Sequence, residues 1–174
     1  MPKWMIKGNQ LKQYLKDCKE GNFDSHSFSN MFNSPNQYKT VTDRLVDLFG
    51  TMYGLSICEI GGGYGGQAKD ILDRYILTRY HIIDLLEVCE LQRRYLKGLP
   101  VECFTEPTGQ EYDLVISNYA ISEIPDNKLY IDEILRKSKR GYITCNTDFV
   151  KLDWPHKRLP DIPGERETNY VLIW

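Results

Sequence analysis

The apolar positions divide the chain into two regimes. Upstream of residue 55 they recur at helical spacing. Leu11, Tyr14, Leu15 and Cys18 share one face of a predicted helix over 9–20, and Tyr38, Val41, Leu45, Leu48 and Phe49 mark a second helix. Between the two, residues 21–37 are rich in Asn, Ser and Gly but carry Phe23, Phe28 and Phe32. So long a connection is uncommon in a compact domain unless it is functional or disordered, and a solvated linker has no use for three phenylalanines. It reads as a candidate lid or, equally well, as packing between the N-terminal helices and the rest of the fold.

From residue 55 short apolar runs alternate with amphipathic stretches. Strands are predicted at 55–60, 80–84, 101–104, 113–117, 141–146 and 170–174. Ala68, Ile71, Leu72, Tyr75 and Ile76 mark the helix after the first strand. Val88, Leu91, Tyr95 and Leu99 mark the next, closed by Gly98 and Pro100. Leu129, Ile131, Ile134 and Leu135 follow a helix start placed at Pro125. Residues 113–117 are nearly all apolar, as a strand covered on both faces should be. Single helices between strands imply crossovers and a parallel sheet. The expectation is a doubly wound, mostly parallel α/β domain. Pro155, Pro160, Pro163 and Gly164 make 151–167 read as loop, which leaves one strand after residue 147 and a shortened C-terminal end.

Composition narrows the classes. With 174 residues the chain is one domain, divided here into N-terminal helices and lid (1–54), a core (55–147), and a loop with a last strand (148–174). The charge is balanced, 22 Lys plus Arg against 24 Asp plus Glu, which disfavours a protein that neutralises nucleic-acid phosphates. No apolar run is long enough for a membrane span or a signal peptide. The five cysteines are odd in number and contain no C-x-x-C pair, so they read as reduced, buried thiols in a cytoplasm-like compartment. No ligand pair has the spacing of a zinc site, and no metal is expected.

The candidate chemistry begins at Glu59-Ile60-Gly61-Gly62-Gly63-Tyr64-Gly65-Gly66, between the first strand and its helix. Glycine suits a backbone that must take positive φ or let a ligand approach within contact distance. Asp84, which closes the second strand, can accept hydrogen bonds from ribose hydroxyls. Together these point to a nucleoside cofactor. Gly61-x-Gly63-x-x-Gly66 fits the dinucleotide fingerprint, and Glu59-x-Gly61-x-Gly63-x-Gly65 fits the S-adenosylmethionine one. Glu59 favours the second reading. An acid at the end of an apolar strand is costly unless something uses it. It suits a sulfonium and an ammonium, and it would repel a pyrophosphate. No P-loop lysine follows, so triphosphate hydrolysis is excluded.

Over about residues 55–135 the chain resembles the class I S-adenosylmethionine-dependent methyltransferases. More narrowly, it resembles the sugar O-methyltransferases of bacterial surface-glycan clusters. The glycine-rich segment carries this match, with Asp84-Leu85, Glu87, Leu91-Gln92, Tyr95-Leu96, Tyr112-Asp113 and Ser117-Asn118-Tyr119-Ala120-Ile121-Ser122-Glu123. The resemblance implies a cofactor-binding set of Glu59, Gly61, Gly62, Gly63, Tyr64, Asp84, Leu85, Ser117 and Asn118. In it Asp84 holds the ribose, Leu85 packs on the adenine, and Ser117 and Asn118 border the methyl-transfer site. There are departures. Phe104-Thr105-Glu106 stands where many members place an adenine-reading Asp, Ile124 stands where many have His, and Asn118-Tyr119-Ala120-Ile121 lacks the prolines of amine methyltransferases.

A sugar hydroxyl is a poor nucleophile, so a base would help. Glu123 is the first candidate, with helix capping as its alternative, and His156 in the C-terminal loop is the second. His81, in an apolar strand, reads as a core histidine, and His26 belongs to the lid. Asp148 and Asp153 could offer oxygen ligands to a metal, although no spacing supports it. Lys157, Arg158 and Arg166 could meet a substrate phosphate. The expected partner is a small-molecule acceptor: a carbohydrate, or a nucleotide- or phospho-sugar. With little chain outside the core, the acceptor pocket is expected to draw on the N-terminal loop or on a second subunit, as in a homodimer. The rival readings are methylation of another small metabolite, phosphorylated ones included, and a cofactor-binding subunit without activity.

Overall fold

The computed structural model describes residues 16, 20, 35–162 and 166–174. Most of the predicted 9–20 helix, most of the 21–37 lid with its three phenylalanines, His26 and Cys18 lie outside the described residues.

Helix α1 (Pro35–Phe49) buries Tyr38, Val41 and Leu45 of its predicted stripe, while Phe49 is half-buried and Leu48 is exposed. Then follow β1 (Ser56–Ile60), α2 (Gly66–Arg74), β2 (Arg79–Ile83), α3 (Leu86–Tyr95) and β3 (Val101–Phe104). Next come β4 (Leu114–Asn118), a single 3-10 turn (Ile121–Glu123), and an irregular helix, α-helical over Lys128–Tyr130 and π over Ile131–Leu135. The chain ends in β5 (Gly141–Cys145), β6 (Lys157–Pro160) and β7 (Tyr170–Ile173). The seven strands form one sheet in the order β3-β2-β1-β4-β5-β7-β6. β1 to β5 run parallel, and β7 runs antiparallel to both β5 and β6. The winding reverses between β1 and β4, so the switch point lies beyond their carboxyl ends.

Alternation along β1 divides the core. Ile57 packs with Tyr80, Ile82, Val41, Leu45, Ala68 and Ile71 on the face covered by α1 and α2. Cys58 and Ile60 pack with Val115, Ile131, Ile134 and Leu135 on the face covered by the irregular helix. Cys58, Cys89, Cys103 and Cys145 are free and buried.

Three expectations are corrected. The tail is not all loop: β6 lies within it, and two strands follow residue 147, so the C-terminal end of the sheet is not shortened. β6 escaped the pattern because it is an edge strand, with Lys157, Arg158 and Pro160 exposed, and an edge tolerates both charge and proline. The last helix does not begin at Pro125. Asn127 precedes its first turn and donates its side-chain amide to the carbonyls of Ile121 and Phe149 at 3.3 Å each. Ile76 lies beyond α2 and is 80% exposed, while the chain turns at Tyr75.

Candidate functional site

The glycine-rich loop leaves β1 at the switch point. Gly61, Gly63 and Gly65 have φ of 74°, 55° and 102°, conformations that side chains with a Cβ rarely adopt. Gly62 is confined by space instead. A Cβ there would lie 2.8 Å from Ile82 Cγ2 and 3.3 Å from both Glu59 Oε2 and Gln92 Nε2. At Gly63 the corresponding direction is open. The loop is thus packed from below at Gly62 and clear at Gly63, as a backbone that cradles a ligand should be. Tyr64 stands between two tyrosine rings, edge-on to Tyr38 at 5.7 Å and to Tyr95 at 5.0 Å.

Beneath the loop lie two buried acids. Glu59 is 1% exposed and accepts a hydrogen bond from the Tyr80 hydroxyl at 2.8 Å. Burial pushes its pKa up to about 7; the Tyr80 bond opposes this, and the nearby Asp84 charge adds to it. Asp84 is 8% exposed and follows β2 directly. Its Oδ1 accepts from the Leu85 N–H at 2.8 Å and its Oδ2 from the Gln92 amide at 3.0 Å. Burial pushes Asp84 up to about 7 as well, against the hydrogen bonds from Leu85, Gln92, Gly63 and Gly62. Among the described residues neither acid forms an ion pair with a lysine, arginine or histidine. Two anionic positions without a cation of their own suit a cationic ligand.

The opposite side of the switch point is built from β4 and β5. Ser117 is spent on the fold: its hydroxyl donates to the Ile60 carbonyl at 2.9 Å and accepts from the Ile121 N–H at 3.1 Å. Asn118 is only partly buried, and its amide is held loosely, 3.4 Å from both Gln67 Oε1 and Thr144 Oγ1. Gln67 continues the chain of polar contacts to Thr42 of α1 at 2.8 Å. Tyr119 turns the backbone at φ 66°, strained for a bulky residue, and its hydroxyl donates to Asp161 at 2.6 Å. Glu123, partly exposed, accepts from the Asn146 amide at 2.8 Å, just past β5.

The structure therefore brings Glu59, Gly61, Gly62, Gly63, Tyr64, Asp84 and Leu85 to one side of the switch point, and Ser117, Asn118 and Glu123 to the other. His156 is not among them. It precedes Lys157, which pairs with Ile173 and through it lies level with Tyr142 near the amino end of β5. His156 thus stands at the edge of the sheet and toward the end opposite the glycine loop. Its ring meets the Trp154 carbonyl at 2.8 Å. His81 is a core histidine, 2.9 Å from the Tyr112 hydroxyl. Asp148 accepts from Tyr170 and Asp153 pairs with Arg136 at 2.8 Å. Arg158 lies over the Tyr170 ring at 3.4 Å from its centroid. Among the described residues no three His, Cys, Asp or Glu side chains form a metal-binding group. Gln92 is the site residue whose function the sequence did not disclose. Its signal was a polar side chain four positions after Val88 on the buried face of a helix.

This sheet order, with its reversed seventh strand and the glycine loop at the switch point, defines the Rossmann-like fold of the class I S-adenosylmethionine-dependent methyltransferases. Solved structures with bound S-adenosylmethionine superpose on the chain. Magnesium protoporphyrin IX methyltransferase (ChlM) from Synechocystis PCC 6803 with bound S-adenosylmethionine gives a TM-score of 0.59 at 14% identity, over 80% of this chain and 76% of that one. A mutant of MtNAS in complex with S-adenosylmethionine gives 0.58 at 16% identity, over 93% of this chain and 70% of that one. No protein-family profile and no curated protein matches the sequence.

Proposed function

We propose that this chain binds S-adenosylmethionine and transfers its methyl group to a small-molecule acceptor, a carbohydrate hydroxyl being the class its sequence resemblance favours. The observation that carries the reading is the pair of buried, cation-free acids, Glu59 and Asp84, beneath a glycine loop open at Gly63. The solved neighbours bind this cofactor in the same fold, which supports the assignment.

Bound S-adenosylmethionine supplies an electrophilic methyl on a sulfonium whose departure leaves a neutral thioether. The chain's residues have correspondingly modest tasks: alignment and exclusion of water. Glu59 would hold the methionine end of the ligand, and Asp84 would accept from the ribose hydroxyls. Asn118, loosely held at the end of β4, orients the acceptor. An acceptor oxygen must lose its proton as it gains the methyl, and Glu123, on the turn after β4, is the candidate base.

Calorimetry with S-adenosylmethionine and S-adenosylhomocysteine is the first test. Binding of both is expected, and Glu59→Ala should lose at least tenfold in affinity. No binding at millimolar ligand overturns the reading. Turnover on sugar nucleotides or phospho-sugars is the second test. Binding without turnover on any of them would instead favour a cofactor-binding subunit.

A further inference from the structure

Gln92 occupies an unusual position. It lies on α3, is fully buried, and directs one amide nitrogen at two different loops. Nε2 donates to the Gly63 carbonyl at 2.8 Å and to Asp84 Oδ2 at 3.0 Å, which uses both of its hydrogens. The same nitrogen lies 3.3 Å from the position a Cβ on Gly62 would take, which is itself 3.3 Å from Glu59 Oε2. One side chain thus ties the glycine loop to the acid at the end of β2. Gly63, at φ 55° and with open space beside it, has no side chain of its own to fix it. Gln92 Oε1 is buried and has no hydrogen-bond partner among the described residues. A half-satisfied buried amide is costly, so the bonds its nitrogen makes must offset that cost or a ligand or water must complete it.

We propose that Gln92 is the positioning residue of the cofactor site: its amide fixes the Asp84 carboxylate relative to Gly63, and so sets the distance between the ribose-binding and methionine-binding halves of one ligand. The inference rests on the proposed S-adenosylmethionine site and deepens it. A ligand spanning two independently moving loops must order both as it binds. A ligand entering loops already tied together does not, and its affinity rises accordingly. The Asp84 charge acts on Glu59 of β1, Cys89 of α3, Cys103 of β3 and Tyr130 of the helix after β4; burial is the larger cause that raises each, and it keeps the two thiols and the phenol neutral at neutral pH. Arg93 of α3 acts on the two cysteines.

The test is the affinity of the full-length protein for S-adenosylhomocysteine between pH 6 and pH 9, for wild type and for Gln92→Met, which keeps the side-chain length and removes both donors. Gln92→Met should bind at least tenfold more weakly at pH 8. The acid limb of its binding curve should move to higher pH, because Asp84 loses a donor that favours its charged form. A side chain that only packs would leave that limb in place. Unchanged affinity with an unchanged limb in folded Gln92→Met overturns the proposal. If that variant does not fold, Gln92→Glu keeps the shape, adds an acid beside Asp84 and should displace the limb further; a wild-type limb in this variant is equally decisive against it. Failure of the wild type itself to bind would overturn the cofactor assignment as well, and is read without either variant.

Discussion

At the scale of single residues, the site stores its chemistry in buried acids. Glu59 has a pKa raised from 4.5 to about 7, and Asp84 from 3.8 to about 7. An acid that is harder to ionise in the folded chain than in the unfolded one stabilises the fold at low pH. That contribution is present below the unfolded pKa and is lost as pH rises through the folded value. For Glu59 alone the loss is roughly 3 kcal/mol, the free energy between a pKa of 4.5 and one of about 7. Urea denaturation of the ligand-free protein should therefore show stability falling between pH 5 and pH 8. Glu59→Gln, neutral throughout, should make that decline shallower and leave the part due to Asp84; an equally steep decline in the variant would refute the share assigned to Glu59. Asp113 has the opposite sign. Bonds from Lys139 and Ser56 hold it down at about 2, so its contribution disappears only in stronger acid, outside this window.

At the scale of elements, the glycine loop is held by what packs on it. Helix α1 lays Tyr38 against Gly66, the first residue of α2: a Cβ there would fall 2.2 Å from Tyr38 Cε2. Tyr38 is itself buried and meets Tyr64, so the ring has little room to yield. Gly66→Ala should destabilise the protein by about 1–3 kcal/mol through overpacking. Tyr38→Leu, made in the same chain, should recover part of the loss; an additive double variant in thermal denaturation would show that the two positions do not meet. A second tie runs from β4 to the C-terminal strands through Tyr119 and Asp161. Tyr119→Gly should be more stable than Tyr119→Ala by about 1 kcal/mol, since both lose the bond and only glycine relieves the positive φ. Equal stabilities by chemical denaturation would mean the backbone is not strained there.

At the scale of the whole molecule, a ligand that spans the switch point couples its affinity to global stability. S-adenosylhomocysteine at one hundred times its Kd should add about 2.7 kcal/mol and raise Tm by roughly 5–10 °C. No rise in Tm under those conditions would count against a site formed only in the folded state. The parallel core, the glycine loop at the end of β1, and the acids at 59 and 84 were legible in the sequence. Their signals are local: apolar runs, helical spacing, glycines where φ turns positive. Other features were decided by tertiary structure. β6 is a strand because β7 offers it a partner, and its own residues are those of an exposed edge. The helix after β4 starts past Pro125 because Asn127 ties its first turn to two loops. His156, adjacent in sequence to a plausible acceptor loop, is carried toward the amino end of the sheet by the direction of β6. In the sequence Gln92 stands only as part of a resemblance, without a role, and folding brings Gly63 and Asp84 onto its one amide. Periodicity reports which side of an element is buried; which groups then meet across elements depends on strand order and register, and no single stretch of sequence encodes those.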